Sequence, residues 1–237
     1  MEPGIHLRRE PGPDLDAVGE DADLVQRIRD EIAATGPMPF ARFMALALTD
    51  PDGGYYRAAE ARPGRGGDFL TAPELHPIFG ATLSTGLMEI WDRLERPSPF
   101  TIREHGAGTG ALAVAILDAI DDDAVRLAVR YEPVDVDPRR LDAFRETLTA
   151  AGHGAALGAP TDDVPVTGVV LANEVLDALP VHRVRRRGAD LRELAVAVDA
   201  DGALREAEIE PTTPTLAARL EAEGVELVDG QTAEICL

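Results

Sequence analysis

The segment most able to do chemistry is residues 103–111, which read R-E-H-G-A-G-T-G-A directly after a strand-like run. Its glycines, Gly106, Gly108 and Gly110, alternate with small residues. Glycines at a turn from strand to helix let the backbone approach a ligand closely, and a helix N-terminus points N–H groups at an anion. The spacing fits the pyrophosphate turn of dinucleotide-binding proteins, with Ala111 in third position, and equally the glycine-rich turn of nucleoside-sulfonium binders.

Two acidic residues flank this turn. Asp135 follows the next predicted strand, where either cofactor would need an acid for its ribose hydroxyls, so Asp135 does not discriminate between them. Glu104 lies two residues before Gly106. A carboxylate there would crowd a pyrophosphate, but it suits a ligand with ammonium and sulfonium groups. Glu104 therefore favours the nucleoside-sulfonium ligand.

A further polar cluster lies in A-N-E-V-L-D-A-L-P, residues 172–180, at the end of an apolar strand-like run. Open α/β sheets bind ligands beside the carboxyl ends of their strands, so Asn173, Glu174 and Asp177 are candidate site residues. If the segment is helical, both acids share one face and could hold a guanidinium bidentately. The alternative is that Asn173 caps a helix whose first turn the acids merely stabilise.

The loop-like stretch R-G-G-D-F-L-T-A-P-E-L, residues 65–75, supplies Asp68, Thr71 and Glu74. These side chains could lie over a ligand crevice, or the stretch could be a solvated connection, and periodicity does not decide between the two. The sequence predicts no metal site.

Alternating patterns predict the elements that must position these residues. Residues 99–180 run strand, helix, strand, helix, strand, which predicts a doubly wound, mostly parallel α/β sheet. Residues 1–98 comprise a loose arm and amphipathic helices, and residues 181–237 begin with an antiparallel meander. These three ranges are the predicted domain divisions.

Composition narrows the class of protein. A formal net charge of −20 disfavours nucleic acid as a partner, because affinity for phosphates comes from Lys and Arg, and the 45% hydrophobic content predicts a folded core. No apolar run is long enough to span a membrane, and the single cysteine, Cys236, permits no internal disulfide. The sequence-based expectation is a cytoplasmic protein without membrane insertion.

Several motifs occur in a fixed order along residues 37–181: M-P-F-A-R-F-M-A-L-A-L, D-P-D-G-G-Y-Y, G-D-F-L-T-A-P-E, P-I-F-G, E-H-G-A-G-T-G, Y-E-P-V-D and A-N-E-V-L-D-A-L-P-V, with G-Q-T-A-E-I-C at 230–236. As a set they resemble the MidA-like family of class I S-adenosylmethionine-dependent methyltransferases. The resemblance implies a Rossmann-like methyltransferase fold with an N-terminal helical addition and an inserted antiparallel region. It also implies S-adenosyl-L-methionine as cofactor and arginine of a protein client as substrate, with a respiratory-complex subunit as one candidate, since mitochondrial relatives serve complex I assembly.

The resemblance also implies roles by position. Asp135 would hold the donor's ribose and Asn173 its amino group, Glu174 and Asp177 would lie where the acceptor enters, and the methionine end would be held by Glu104, Gly106, Ala107, Gly108 and Gly110. Asp68, Thr71 and Glu74 would contact the substrate.

Two departures from the family are expected to matter. The family usually has Glu where this chain has Asp135, and Pro133 just before it predicts a displaced strand end. The C-terminal part of the family fold, with its last strands, is expected to be missing. A non-catalytic assembly factor that binds the donor therefore stands beside the methyltransferase hypothesis, and a nicotinamide-dependent oxidoreductase is a third, less favoured one.

Overall fold

The computed structural model describes residues 21–57, 76–160 and 165–237. Its elements in chain order are α1 (Ala22–Thr35), β1 (Met38–Pro39), α2 (Phe40–Thr49), α3 (Ile78–Arg93), β2 (Phe100–His105), α4 (Ala111–Asp118), α5 (Asp123–Ala128), β3 (Val129–Val134), α6 (Pro138–Ala150), β4 (Gly168–Ala172), β5 (His182–Arg187), β6 (Asp190–Val198), β7 (Leu204–Ile209), α7 (Thr215–Ala222) and β8 (Thr232–Ile235).

The centre of the chain forms a parallel sheet in the order β3-β2-β4. Helices α4 and α5 connect β2 to β3, and α6 follows β3 before the chain returns to β4. The expected α/β sheet with parallel strands is thereby confirmed.

The core of this unit packs on one face of β2, where Phe100 and Ile102, two residues apart, are fully buried. Helix α3 packs here through Leu87 and Trp91. A Cβ on Gly80 of α3 would lie 2.5 Å from the Cβ of Ala115 on α4, so the two helices touch only because Gly80 lacks a side chain. The predicted boundary at residue 98 thus separates α3 from the core against which it packs.

A second, antiparallel sheet is centred on β6. Strand β7 pairs with one edge of β6, while β5 and β1 pair with successive parts of its other edge. Strand β8 pairs with the far edge of β5. The predicted apolar stripe of α1, Leu24, Ile28 and Ile32, packs against Val196 on one face. On the opposite face, Leu216 of α7 packs with the inward residues of β5 and β8.

This sheet joins the two ends of the described chain, because β1 pairs with β6 through Met38 and Val196. The predicted division into residues 1–98 and 181–237 therefore differs from the packing. Helices α1 and α2 form one layered unit with the antiparallel sheet. The reason is strand pairing between residues more than 150 positions apart, which local periodicity does not predict.

The arginines of strand β5 form ion pairs with glutamates of the same sheet. Arg185 and Arg187 reach across β6 to Glu208 of β7, at 2.9 and 2.5 Å. These hydrogen bonds, Arg187 first, lower the pKa of Glu208 to about 2. The alternating arginines thus belong to an ion-pair network on the sheet surface.

Candidate functional site

The strand register brings the candidate residues to one edge of the parallel sheet. His105, the last residue of β2, is paired with Val134 of β3 and Ala172 of β4. The next residue on each strand is a candidate: Gly106, Asp135 and Asn173. All three leave the sheet at its carboxyl edge, where sheets of this type bind ligands.

The glycine turn requires glycine at each of its three positions. The φ angles of Gly106, Gly108 and Gly110 are 66°, 54° and 92°, a left-handed region costly for other residues. A Cβ on Gly106 would lie 2.5 Å from Val175, and one on Gly110 would lie 3.1 Å from Phe144. At Gly108 it would meet only one backbone atom, at 3.9 Å, so the open side of the turn is there.

The carboxylate of Asp135 is held against this turn. It accepts hydrogen bonds from the N–H groups of Gly108, at 3.0 Å, and Asp137, at 2.9 Å. The buried residue Ala107 donates its N–H to the carbonyl of Val134 at 3.2 Å, which fixes the turn to the end of β3. Both Asp135 oxygens are thus oriented by backbone donors and keep lone pairs for hydroxyl groups.

Pro133 does not displace the strand end. It is paired in register with Glu104 of β2, and β3 is an edge strand of the described sheet, where a missing N–H is tolerated. The shorter side chain of Asp135 therefore leaves β3 at the position that the register gives it.

Glu104 lies beneath the turn, with 3% of its surface exposed. Its Oε2 accepts a hydrogen bond from the Tyr131 hydroxyl of the neighbouring strand at 2.7 Å. Burial raises the pKa of Glu104 to about 7; the Tyr131 hydrogen bond opposes the rise and the Asp135 carboxylate adds to it. The structure thus gives this carboxyl a protein partner within the sheet, and its direct contact with a ligand ammonium stays a prediction.

The raised pKa of Glu104 predicts a specific dependence of stability on pH. Between about pH 4.5 and 7 the unfolded chain releases the Glu104 proton while the folded chain keeps it, so the free energy of unfolding falls as pH rises through this window. The loss should approach about 3 kcal/mol above pH 7, in proportion to the raised pKa.

The variant Glu104→Gln retains an acceptor for Tyr131 but has no proton to lose. Denaturant unfolding of both proteins at several pH values between 4 and 8 measures the difference. The free energy of unfolding of the wild type, minus that of the variant, should decline between about pH 4.5 and 7. A difference that does not change with pH would show that Glu104 titrates normally.

The segment Asn173–Asp177 is a turn and not the predicted helix. Asn173 and Glu174 form a turn, Glu174 has a φ of 51°, and a short 3-10 helix covers Leu176–Ala178. The condition for a common face of Glu174 and Asp177, a helix over both residues, is therefore not met, and the short 3-10 helix begins after Val175 without a side-chain cap. The positive φ of Glu174 interrupts a helix at this point, since a helix needs uninterrupted negative φ, and Val175 packs against Gly106.

The N-terminal unit reaches the site through the residues after α2. Arg57 donates to the carbonyl of Val136, and Arg139 donates to the carbonyl of Arg57. Arg139 also forms an ion pair with the buried Asp137 at 2.8 Å, and that hydrogen bond is the main reason why the pKa of Asp137 is lowered. The loop that carries Asp135 is thereby fastened to the N-terminal unit.

Tyr56 is a further candidate site residue, which the sequence-based reasoning missed. The Cζ atom of Arg140 lies 5.9 Å from its ring centroid. Burial raises the pKa of Tyr56, and the carboxylates of Asp177 and Glu174 raise it further, against the opposing effect of Arg140. Its only signal in the sequence was its place in the motif D-P-D-G-G-Y-Y.

The predicted substrate residues Asp68, Thr71 and Glu74 lie outside the described residues. Their roles stay predictions. Among residues that are described, Glu174 and Asp177 are both exposed at the turn.

Fold and site together define a nucleoside-binding α/β protein: a left-handed glycine turn follows one parallel strand, and an acid follows its neighbour. The family model of S-adenosyl-L-methionine-dependent methyltransferases matches residues 82–237, more than half of the chain. The chain belongs to this family. The prediction of S-adenosylmethionine as the family cofactor is thereby confirmed over the dinucleotide.

Named relatives extend the match towards the N-terminus. The protein arginine methyltransferase NDUFAF7 homolog, mitochondrial, of Drosophila melanogaster is 32% identical over 225 residues, which cover 86% of this chain and 51% of the relative. The mitochondrial NDUFAF7 of Danio rerio is 29% identical over 218 residues, 82% of this chain and 51% of the relative. The chain spans about half the length of the curated relatives it matches.

Two crystal structures from Burkholderia thailandensis are similar to this chain. One, described as a methyl transferase bound to S-adenosyl-homocysteine, has a TM-score of 0.77 and 35% sequence identity. The match covers 96% of this chain and 59% of the Burkholderia chain. The other, a native structure of the same superfamily, has a TM-score of 0.73 and 34% sequence identity. This match covers 96% of this chain and 58% of the Burkholderia chain. The MidA-like methyltransferase resemblance is confirmed.

The predicted cytoplasmic location is wrong. The relatives from Drosophila melanogaster, Danio rerio and Homo sapiens are mitochondrial by name. The prediction rested on the lack of an apolar span, and such a lack does not determine a compartment. Among the helices in the described part of the chain, none is long and apolar enough to traverse a bilayer.

Proposed function

We propose that this protein transfers a methyl group from S-adenosylmethionine to an arginine of a protein client. The observation that carries the proposal is the register of β2, β3 and β4, which gathers Gly106, Asp135 and Asn173 at one edge of the sheet. A respiratory-complex subunit is the candidate client, supported by the MidA-like resemblance and by relatives named as mitochondrial arginine methyltransferases.

The residues present fit the donor. The open side of the turn at Gly108 leaves space for its aminoacyl end, because a Cβ there would meet nothing closer than 3.9 Å. We assign the two ribose hydroxyls to the Asp135 carboxylate, and its two hydrogen bonds from backbone N–H groups support this assignment. Asn173, at the end of the adjacent strand, offers a side-chain amide oxygen for the donor's amino group.

The bound donor supplies an electrophilic methyl group on a positively charged sulfur. The task of the protein is to align the attacking nitrogen with that carbon and to exclude competing geometries. A guanidinium is a poor nucleophile, because its charge is delocalised and its pKa exceeds about 12. Glu174, with Asp177 in the second place, localises that charge on the far nitrogens and accepts the proton that the methylated nitrogen loses.

Calorimetry tests the donor half of the proposal. We expect S-adenosylhomocysteine to bind and NAD not to bind, and binding of NAD alone would contradict the assignment. Mass spectrometry of mitochondrial proteins incubated with the protein and methyl-labelled donor tests the other half. Methylated arginine supports the proposal, whereas donor binding without any methylated protein would favour the non-catalytic assembly factor.

Asp135→Asn should weaken S-adenosylhomocysteine binding about 10- to 100-fold, since hydrogen bonds to a charged group contribute about 1.5–3 kcal/mol. Asp199→Asn is the matched control. Its carboxylate also accepts two backbone N–H groups, from Asp201 and Ala203, but it lies in the β6–β7 connection. Calorimetry on both variants should show a loss confined to Asp135. Equal affinities in the two variants would remove Asp135 from the donor site.

A further inference from the structure

We propose that Arg57, which lies beyond α2 in the N-terminal part of the chain, is a positioning residue of the donor site. It orients the peptide group between Val136 and Asp137, and this peptide in turn orients the Asp135 carboxylate for the ribose of the donor. The inference rests on the proposed function, and it extends the donor site to a residue that acts through the backbone of another segment.

A single peptide group joins Arg57 to Asp135. Its carbonyl is that of Val136, and it accepts a hydrogen bond from Nη1 of Arg57 at 2.5 Å. Its N–H is that of Asp137, and it donates to Oδ1 of Asp135 at 2.9 Å. Because a peptide group is planar, its carbonyl and its N–H turn together. A rotation that breaks one of these hydrogen bonds therefore breaks the other.

The second oxygen of the Asp135 carboxylate is held by the glycine turn. Oδ2 accepts the N–H of Gly108 at 3.0 Å, so each carboxylate oxygen has one backbone donor. A carboxylate held at both oxygens presents its remaining lone pairs in fixed directions. Without the donor from Asp137 the side chain could rotate about the Gly108 contact, and the ribose hydroxyls would lose a preorganised pair of acceptors.

Arg139 links the backbone of Arg57 to the same segment. Its Nη2 donates to the carbonyl of Arg57 at 2.5 Å, and its guanidinium pairs with the Asp137 carboxylate at 2.8 Å. Ion pairs between two exposed groups contribute little, but only 6% of the Asp137 side chain is exposed. Arg139 thus keeps Arg57 beside the peptide that Arg57 orients.

The backbone of Arg57 is also fixed on its N-terminal side. Its N–H donates to the carbonyl of Gly54 at 2.8 Å, and the N–H of Tyr56 donates to the carbonyl of Leu48 in α2 at 2.9 Å. Arg57 therefore reaches the Asp135 loop from a hydrogen-bonded turn, although it lies 79 residues before the carbonyl that it contacts.

The test compares two ligands on the full 237-residue chain by calorimetry: S-adenosylhomocysteine and its 2′-deoxy analogue. The analogue lacks one ribose hydroxyl, so the ratio of the two dissociation constants reports the contact of that hydroxyl with Asp135. We expect the wild type to prefer S-adenosylhomocysteine about tenfold or more, as for a hydrogen bond to a charged group. Arg57→Met should lower this preference to about threefold. A merely structural defect weakens both ligands equally and leaves the ratio unchanged.

Arg139→Met should lower the ratio in the same way, and it decides the matter if thermal unfolding shows that Arg57→Met does not fold. Arg145→Met is its matched control. Arg145 lies on the same helix, α6, and pairs with Asp142 at 2.8 Å, but both side chains of that pair are exposed. This control should keep the ratio of the wild type, and an equal loss in Arg145→Met would contradict the proposal.

A double-mutant cycle with Asp135→Ala tests the path of the effect. Once the carboxylate is absent, Arg57→Met should change S-adenosylhomocysteine affinity by less than about twofold, because Arg57 acts through that carboxylate. The proposal is overturned if folded Arg57→Met keeps the ratio of the wild type, if the two substitutions weaken binding independently, or if the wild type binds both ligands equally. If the wild type does not bind S-adenosylhomocysteine at all, it is the proposed function that fails.

Discussion

Replacing Glu174 by glutamine should lower kcat for protein methylation about 100-fold or more, because a positioned general base contributes about 10²- to 10⁴-fold. The amide still fits the turn, but it neither localises the charge of a guanidinium nor accepts its proton. Donor affinity should change little, since the role proposed for Glu174 is on the acceptor. Initial rates with labelled donor, together with calorimetry on S-adenosylhomocysteine, separate the two effects.

Glu95→Gln is the matched control for this variant. Glu95 also has a left-handed backbone, with a φ of 63° against 51° for Glu174, but it lies in the connection between α3 and β2. Both substitutions therefore change a carboxylate to an amide at the same kind of backbone position. A Glu174→Gln protein that methylates its client at the wild-type rate would remove Glu174 from the chemistry, and a cellular function unaffected by the change would favour the assembly-factor hypothesis.

The second large effect is expected from Gly106→Ala. The alanine must adopt a φ of 66°, and its Cβ would lie 2.5 Å from a methyl group of Val175. The glycine turn and the turn after β4 therefore cannot both keep their positions. Affinity for S-adenosylhomocysteine should fall about 100-fold, the sum of about 1–2 kcal/mol of backbone strain and the cost of the steric shift.

The control for Gly106→Ala is Gly224→Ala. Gly224 has the same φ of 66°, yet an added Cβ there meets nothing within 4 Å. This variant carries the backbone strain alone, at the end of α7. A double variant, Gly106→Ala with Val175→Ala, removes the contacting methyl group and should recover part of the affinity. No recovery would mean that the packing against Val175 does not limit donor binding.

These predictions share one structural basis. The carboxyl edge of the parallel sheet, to which we assign the donor, is built from segments that are distant in sequence. The glycine turn rests on Val175, and the loop of Asp135 is fastened to Arg57 by Arg139. A change in these contacts, whether in the N-terminal unit or in the turns, should therefore act through donor binding.

Much of the parallel sheet could be predicted from the sequence. Alternating apolar runs and helical patterns placed its three strands, and the glycines after β2 predicted a turn from strand to helix. Both signals are local, because strand and helix periods and the conformational cost of a Cβ are properties of a few consecutive residues. The position of Asp135 followed from the same alternation.

The candidate site was only partly predictable for the opposite reason. The burial of Glu104 depends on Tyr131, 27 residues further on, and the approach of Tyr56 to Arg140 spans 84 residues. The turn at Asn173 and Glu174 looked helical because its sequence permits a helix. The positive φ of Glu174 interrupts the helix, and Val175 packs against Gly106, a contact that periodicity does not report.

The sequence by itself therefore determined the family, the glycine turn and the acid that follows β3, since these are set by local backbone requirements and by an ordered series of motifs. Only the tertiary structure decided that Glu104 is buried beneath the turn, that α1 and α2 pack on β6, and that Tyr56 lies near Arg140. The physical reason is strand register. One residue of slip would reverse the faces of a strand, and register is fixed by packing over the whole sheet.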